Sequence, residues 1–184
     1  MKWLLCGAGV VLLAGLLLVG YKKMNTKSTD DVDGGVVKHQ SGDDSPKVIE
    51  SAEITEFHCE FSLLAAAEPE ELENRIYKLD ALYKGETVHC TYKRYGRGAP
   101  AESFEFEADA AFLESLQEIV SRHDLASHNG YVHTVSGLPD MYGALIDIRY
   151  ASGESIYAHN NQDCFMTMES MGELNKLFMS QGKQ

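Results

Sequence analysis

The stretch GALIDIRYASGESIYAHN, residues 143–160, decides the fold class. Ile146, Ile148 and Tyr150 alternate with Leu145, Asp147 and Arg149, which is the period of a β-strand with one face in a core. The Ser152-Gly153 pair that follows is typical of a two-residue hairpin turn. In that register Tyr157 lies near Ile148 and His159 lies near Ile146. The sequence therefore predicts an antiparallel hairpin.

The rest of the domain adds more strands and two clear helices. TEFHCEFS, residues 55–62, alternates with Phe57, Cys59 and Phe61 on one face and Glu56, His58 and Glu60 on the other. The FEF run at 104–106 predicts a short strand, and Asp109 is a suitable N-cap for a helix that ends near His123. A second helix is expected over 168–179. The two apolar stripes are Phe112, Leu113, Leu116, Ile119 and Val120, and then Met171, Leu174, Leu177 and Phe178.

The stretch PEELENRIYKLDALYKG, residues 69–85, fits two structures. One is a helix that starts at Pro69 and stops at Gly85. The other is a helical turn at 70–74 followed by a hairpin that turns at Lys84-Gly85. The strand TVHCTYKRY, residues 87–95, is rich in β-formers and needs a partner, which favours the hairpin. In its register Leu79 faces Cys90, Ala81 faces Val88 and Tyr77 faces Tyr92, while Asp80 and His89 share the opposite face.

These elements predict one α+β domain over residues 48–184. We expect an antiparallel sheet of five or six strands, built from hairpins, with the two main helices packed on one face.

The N-terminus differs in kind from this domain. Residues 3–20, WLLCGAGVVLLAGLLLVG, carry no charge and are long enough for a helix to cross a hydrocarbon core. No small-residue cleavage site ends the run, so we expect residues 1–23 to be an uncleaved membrane anchor. Residues 24–47 are rich in Ser, Thr, Asp and Gly, which predicts a flexible acidic linker.

The overall charge excludes one class of partner. The formal net charge is −12 and the isoelectric point is about 4.9. An acidic surface repels phosphate backbones, so we expect no binding to nucleic acid.

LQEIVSRHDLASHNGY and the later SGLPDMYGALIDIRYASGESIYAHNN resemble a domain of unknown function. That domain occurs in lipoproteins and membrane-anchored proteins of Gram-positive gut bacteria. The shared parts are a helix that ends in an Asn-Gly-aromatic corner, a hairpin with an aromatic-x-x-Gly-Glu turn, and an Asn-rich segment with an aromatic. Relatives often carry Trp where this chain has His128. The resemblance implies an extracytoplasmic domain on a single-pass anchor and implies no reaction.

The loop that enters the final hairpin concentrates polar residues. Asn-Gly and Gly-Leu-Pro-Asp are turn formers, which accounts for most of it. Polar loops on a rigid sheet also carry function. Its histidines and aspartates could approach a metal, but their spacing matches no metal motif, so neither a metal nor a cofactor is predicted. The candidate binding residues are His128, Asn129, Tyr131, His133, Asp140, His159, Asn160 and Asp163.

The cysteines allow two further hypotheses. Cys59 and Cys90 both point to the apolar strand face, where they form either a disulfide or two buried free thiols. Cys164 follows His159 by five residues, which has the residue types of a Cys-His nucleophile without a known signature.

We therefore expect a membrane-tethered, extracytoplasmic domain with a binding or structural role, held in the membrane by residues 3–20 and facing a protein or cell-envelope partner. The alternative is a small metal- or thiol-dependent hydrolase that uses the 128–143 and 159–164 loops.

Overall fold

The computed structural model describes residues 31–32, 35–40, 44–62, 76–96, 99–137 and 143–182. The predicted anchor, the helical turn at 70–74 and the candidate Asp140 lie outside these residues. The chain divides into two compact units, 1–31 and 32–184, and the account below concerns the second. In the described ranges, neither helix has the length and apolar character needed to span a membrane.

The described elements follow one another as strands first and helices later. The strands are β1 (Asp31–Val32), β2 (Gly35–Gln40), β3 (Ile54–Ser62), β4 (Ile76–Tyr83), β5 (Val88–Gly96), β6 (Ala99–Ala108), β7 (Val132–Ser136), β8 (Ala144–Tyr150) and β9 (Ser155–Asn160). The helices are α1 (Ala110–Arg122) and α2 (Met168–Gln181), with a 3₁₀ turn at Leu125–His128.

The domain is α+β, with a mostly antiparallel sheet. From residue 54 onward, the described part of the chain contributes seven strands in the order β7-β9-β8-β3-β4-β5-β6. The expected number of strands was too low because β7 lies inside the loop that the sequence predicted as irregular. Strand β7 runs parallel to β9, with Val132 beside His159 and His133 beside Asn160. A strand of five residues with one buried position has too short a pattern to be recognised.

Both helices pack on one face of the sheet, as predicted. Phe178 of α2 lies edge-on to Phe112 of α1, with ring centroids 5.1 Å apart, and also contacts Phe57 and Phe106 of the sheet. Asp109 caps α1 by accepting a hydrogen bond from the Ala111 amide. The predicted stripe of α1 is buried throughout, whereas on α2 Leu177 is only partly buried.

The hairpin of residues 76–96 is confirmed, and the helix is excluded over Ile76–Tyr83. Its predicted face is also confirmed, because Tyr77, Leu79 and Ala81 are buried together with Val88, Cys90 and Tyr92. The predicted register is wrong by two residues: Leu79 pairs with Tyr92 and Ala81 pairs with Cys90. The reason is the turn, where the Lys84 amide bonds to the Thr87 carbonyl and closes a four-residue loop.

The final hairpin is confirmed with a one-residue correction. Ile148 pairs with Ile156, and Ile146 pairs with Ala158. The Tyr150 amide donates to the Glu154 carbonyl, and Gly153 has a φ of 87°, which together make a three-residue loop. A shift of one residue turns every side chain to the other face. Ile156 and Ala158 therefore enter the core, and Tyr157 and His159 do not.

Part of the predicted linker contributes to the fold. Strand β2 pairs antiparallel with β7, with Val37 opposite Val135. Further along, the Pro46 carbonyl accepts a hydrogen bond from the side chain of Asn129. Residues 35–40 and 46–47 therefore contact the domain that was predicted to begin at residue 48.

Candidate functional site

His133 on β7 and His159 on β9 face opposite sides of the sheet. His133 is beside Asn160, and Val132 is beside His159, in adjacent positions of the parallel pair β7–β9. Successive side chains in a strand point to opposite faces. Asn160 is buried, with 3 % of its surface exposed, so the His159 position belongs to the face away from the core. His133 and His159 therefore do not converge on one ligand.

The side chain of Asn129 forms hydrogen bonds with the backbone at the start of β9. Its Nδ2 donates to the carbonyls of Pro46 (2.8 Å) and Ser155 (3.0 Å), and its Oδ1 accepts from the Tyr157 amide (2.9 Å). The next residue, Gly130, has a φ of 78° and donates its amide to the Tyr157 carbonyl. The Asn129 amide group thus takes the place of a neighbouring strand along β9. We call this arrangement the Asn129 latch.

Asn160 and Asn161 also bond within the domain. Asn160 Oδ1 accepts from the amides of Gln162 and Asp163, and its Nδ2 donates to the Tyr131 hydroxyl. Asn161 bonds with both its side-chain atoms to the backbone of Val135, at 2.9 Å each. The Asn-rich segment therefore forms the turn after β9 and holds the end of β7. Asp163, which is exposed, stands at this turn.

His128 and Tyr131 pack against one aromatic ring. The ring centroid of Phe165 lies 5.1 Å from that of His128 and 6.1 Å from that of Tyr131. Burial lowers the pKa of His128 below its ordinary value. A neutral imidazole against an aromatic ring fits a packing role. Within the described ranges, no group of three or more His, Cys, Asp and Glu side chains is arranged to hold a metal ion.

The cysteines do not have the surroundings of a disulfide or a nucleophile. Cys59 and Cys90 are buried free thiols. They lie on β3 and β5 with the whole of β4 between them, so the strands are roughly 10 Å apart, beyond the Cα separation of about 7 Å that a bridge allows. Burial raises the pKa of Cys164 to about 11, which opposes the thiolate that a nucleophile needs.

A concavity lies elsewhere, on the sheet face opposite the helices. We call this surface the open face: it consists of the outward side chains of β3, β4, β5, β6 and β8. It encloses a volume of about 750 Å³. Its charged and imidazole lining is Glu56, His58, Asp80, Lys84, His89, Glu105, Glu107 and Asp147.

Strand register arranges the open face in rows. His58 is opposite Asp80 on one side and opposite Asp147 on the other, and Asp80 is followed across the sheet by Thr91 and then Glu105. The adjacent row runs from Arg149 through Glu56, Leu82 and His89 to Glu107. These rows place an imidazole between carboxylates at the centre of the sheet.

The central pair is His58 and Asp80. His58 Nδ1 and Asp80 Oδ1 are 2.6 Å apart, and both side chains are more than a third exposed. The hydrogen bond to Asp80 raises the pKa of His58, partial burial opposes the rise, and the charges of Asp80 and Glu60 add to it. At the edge, His89 lies 3.6 Å from Glu107. The open face therefore holds two imidazoles, each of them beside a carboxylate.

The sequence contained a signal for this surface. Alternation placed His58 with Glu56 and Glu60 and placed Asp80 with His89 on outward faces. What the alternation could not provide was the neighbour order. Strand β3 lies between β8 and β4, so Asp147, which is 89 positions after His58 in the chain, becomes its cross-strand partner.

No family model, no curated protein and no solved structure matches this chain. The resemblance to a domain of Gram-positive gut bacteria stays a prediction.

Proposed function

We propose that the protein is a membrane-tethered, extracytoplasmic binding domain that uses the open face to hold a cationic ligand, such as an amine-bearing or basic peptide segment. The observation that carries the proposal is the charge of the concave surface. Five carboxylates line it, from Glu56, Asp80, Glu105, Glu107 and Asp147, together with one lysine, Lys84. Arg149 in the adjacent row lies 3.5 Å from Glu56 and 3.7 Å from Asp147, so carboxylates still outnumber cations across the surface.

The form of the surface supports binding rather than catalysis. Concave sites that bury a ligand are the usual place of recognition, and complementary charge steers the ligand toward them. The two imidazoles are already beside carboxylates, His58 beside Asp80 and His89 beside Glu107. A hydrolase on the 128–143 and 159–164 loops receives less support, because His133 and His159 face opposite ways.

The membrane anchor is part of the same proposal, and the support for it comes from the sequence. The uncharged run at residues 3–20 and the resemblance favour an anchored domain outside the cytoplasm. Helices α1 and α2 cover the other face of the sheet, which leaves the open face for a partner at the cell envelope.

The experiment measures binding of a fluorescent tetralysine peptide to the full-length chain in detergent, by anisotropy. We expect saturable binding that weakens with salt, and no binding of tetraglutamate or of acetylated tetralysine. The test variant is Glu105→Gln with Asp147→Asn. With about 0.7 kcal/mol for each exposed charge pair, we expect about tenfold weaker binding.

The matched control is Glu114→Gln with Glu118→Gln, which makes the same charge change on the exposed side of α1. We expect it to bind like the wild type. Equal weakening in both variants would mean that net charge alone attracts the peptide, and the proposal would then fail.

A further inference from the structure

Two thiol–thioether contacts lie next to each other under the sheet, on its core side. Cys59 comes from β3 and is fully buried. Cys164 and Met166 lie in the connection between β9 and α2, and Met171 lies in the first turn of α2. Met166 and Met171 are 5 % and 2 % exposed, whereas Cys164 is partly exposed. Three separate segments of the chain thus bring two thiols and two thioethers together.

The contacts link the four side chains in sequence. The Cys59 thiol donates to Met166 Sδ at 3.8 Å, and the Cys164 thiol donates to Met171 Sδ at 3.7 Å. Cys164 Sγ also lies 3.7 Å from the Met166 carbonyl, which joins the two pairs.

These distances match a known coordination geometry. A tetrahedral metal with metal–sulfur bonds of about 2.3 Å has its sulfur ligands about 3.8 Å apart. Each of the two thiol–thioether contacts has the length of one edge of such a tetrahedron. A single cation bound by all four sulfurs would displace the thiol protons and draw the two pairs together. The partly exposed Cys164 gives it a route from solvent.

We propose that Cys59, Cys164, Met166 and Met171 form a binding site for a soft monovalent cation, Cu(I). Thiolate and thioether sulfur together select Cu(I), whereas zinc prefers nitrogen and thiolate donors. In the described ranges, no three His, Cys, Asp or Glu side chains are grouped so that they could hold a metal ion that prefers such ligands. Binding replaces thiol protons, so it releases protons to solvent.

The experiment titrates Cu(I) into the full-length chain in detergent under anaerobic conditions, against the competing chelator bicinchoninate. We expect one Cu(I) per chain, near-ultraviolet thiolate-to-copper absorption and proton release. Zn²⁺ at the same concentration should not displace it. Cys164→Ser should weaken binding by at least about a hundredfold, because a hydroxyl is a hard donor. Met171→Leu keeps the apolar volume and should weaken binding about tenfold.

Two control variants use sulfurs outside the site. Cys90→Ser removes another buried thiol, whose contact is the Val88 carbonyl, and Met179→Leu changes another partly buried methionine. Both should bind like the wild type. The proposal is overturned if the wild type does not bind stoichiometric Cu(I), if Zn²⁺ competes equally, or if Cys90→Ser loses as much affinity as Cys164→Ser. Circular dichroism of each variant verifies that it is folded. Tetralysine binding should be unchanged in Cys164→Ser, so this proposal and the open-face proposal fail separately.

Discussion

Replacing Asn129 by alanine tests whether the Asn129 latch holds Pro46 against the start of β9. The residue is 6 % exposed, and its side chain makes three hydrogen bonds, to Pro46, Ser155 and Tyr157. Alanine removes all three and leaves a buried amide and two carbonyls without these partners. At about 1 kcal/mol for each bond, we expect the free energy of unfolding to fall by about 3 kcal/mol.

The assay is urea and thermal unfolding of the full-length chain in detergent, followed by circular dichroism. A loss of this size corresponds to a fall of about 10 °C in the melting temperature for a domain of this length. The urea midpoint should fall while the dependence on urea concentration stays the same, because the folded surface is unchanged.

Two further variants sharpen the test. Asn129→Asp keeps the acceptor for Tyr157 but offers no donor to the two carbonyls, so we expect it to be at least as destabilising. Ser127→Ala is the control, because this exposed neighbour bonds only to the Asp124 carbonyl among the described contacts. It should change stability by less than about 0.5 kcal/mol. If Asn129→Ala is no more destabilising than Ser127→Ala, the latch does not contribute and the reasoning is refuted.

Two other predictions concern the open face and the membrane tether. Asp80 raises the pKa of His58 in the folded state above 6.5, so its stabilisation is present below that pH and is lost as the pH rises through the folded pKa. The urea midpoint of the wild type should fall as the pH rises from 6, and the midpoint of Asp80→Asn should change less over the same range. Identical pH profiles for the two proteins would contradict this prediction. Protease added to intact cells should degrade the domain if it is extracytoplasmic, while a cytoplasmic control protein survives. Protection of the domain until the cells are lysed would contradict the proposed location.

Local pattern was enough to define most single elements. Alternation in residues 55–62 correctly predicted that Phe57, Cys59 and Phe61 enter the core. The stripe and the Asp109 cap correctly predicted α1. These predictions succeeded because hydrophobic periodicity and helix capping act over a few residues and do not depend on distant partners.

The lengths of the turns set the strand register, which the hydrophobic pattern did not predict. Lys84-Gly85 and Ser152-Gly153 are both favourable two-residue turns by composition, yet the loops have four and three residues. In the final hairpin, the extra loop residue places His159 on the face opposite the one predicted. His159 was one of the candidate binding residues. Strand order also decided between the two cysteine alternatives: β4 lies between Cys59 and Cys90, which are therefore two buried free thiols.

By itself, the sequence determined an α+β fold with two helices on one face of the sheet, and that His58, Asp80 and His89 point outward. Only the tertiary structure decided which strands are neighbours. That order brings Asp147 beside His58, gives Asn129 and Asn161 their backbone partners, and gathers the sulfurs of Cys59, Cys164, Met166 and Met171. The physical reason is that hydrophobic burial is non-directional. It places a side chain inside or outside, while hydrogen-bonded register across the sheet selects its partners.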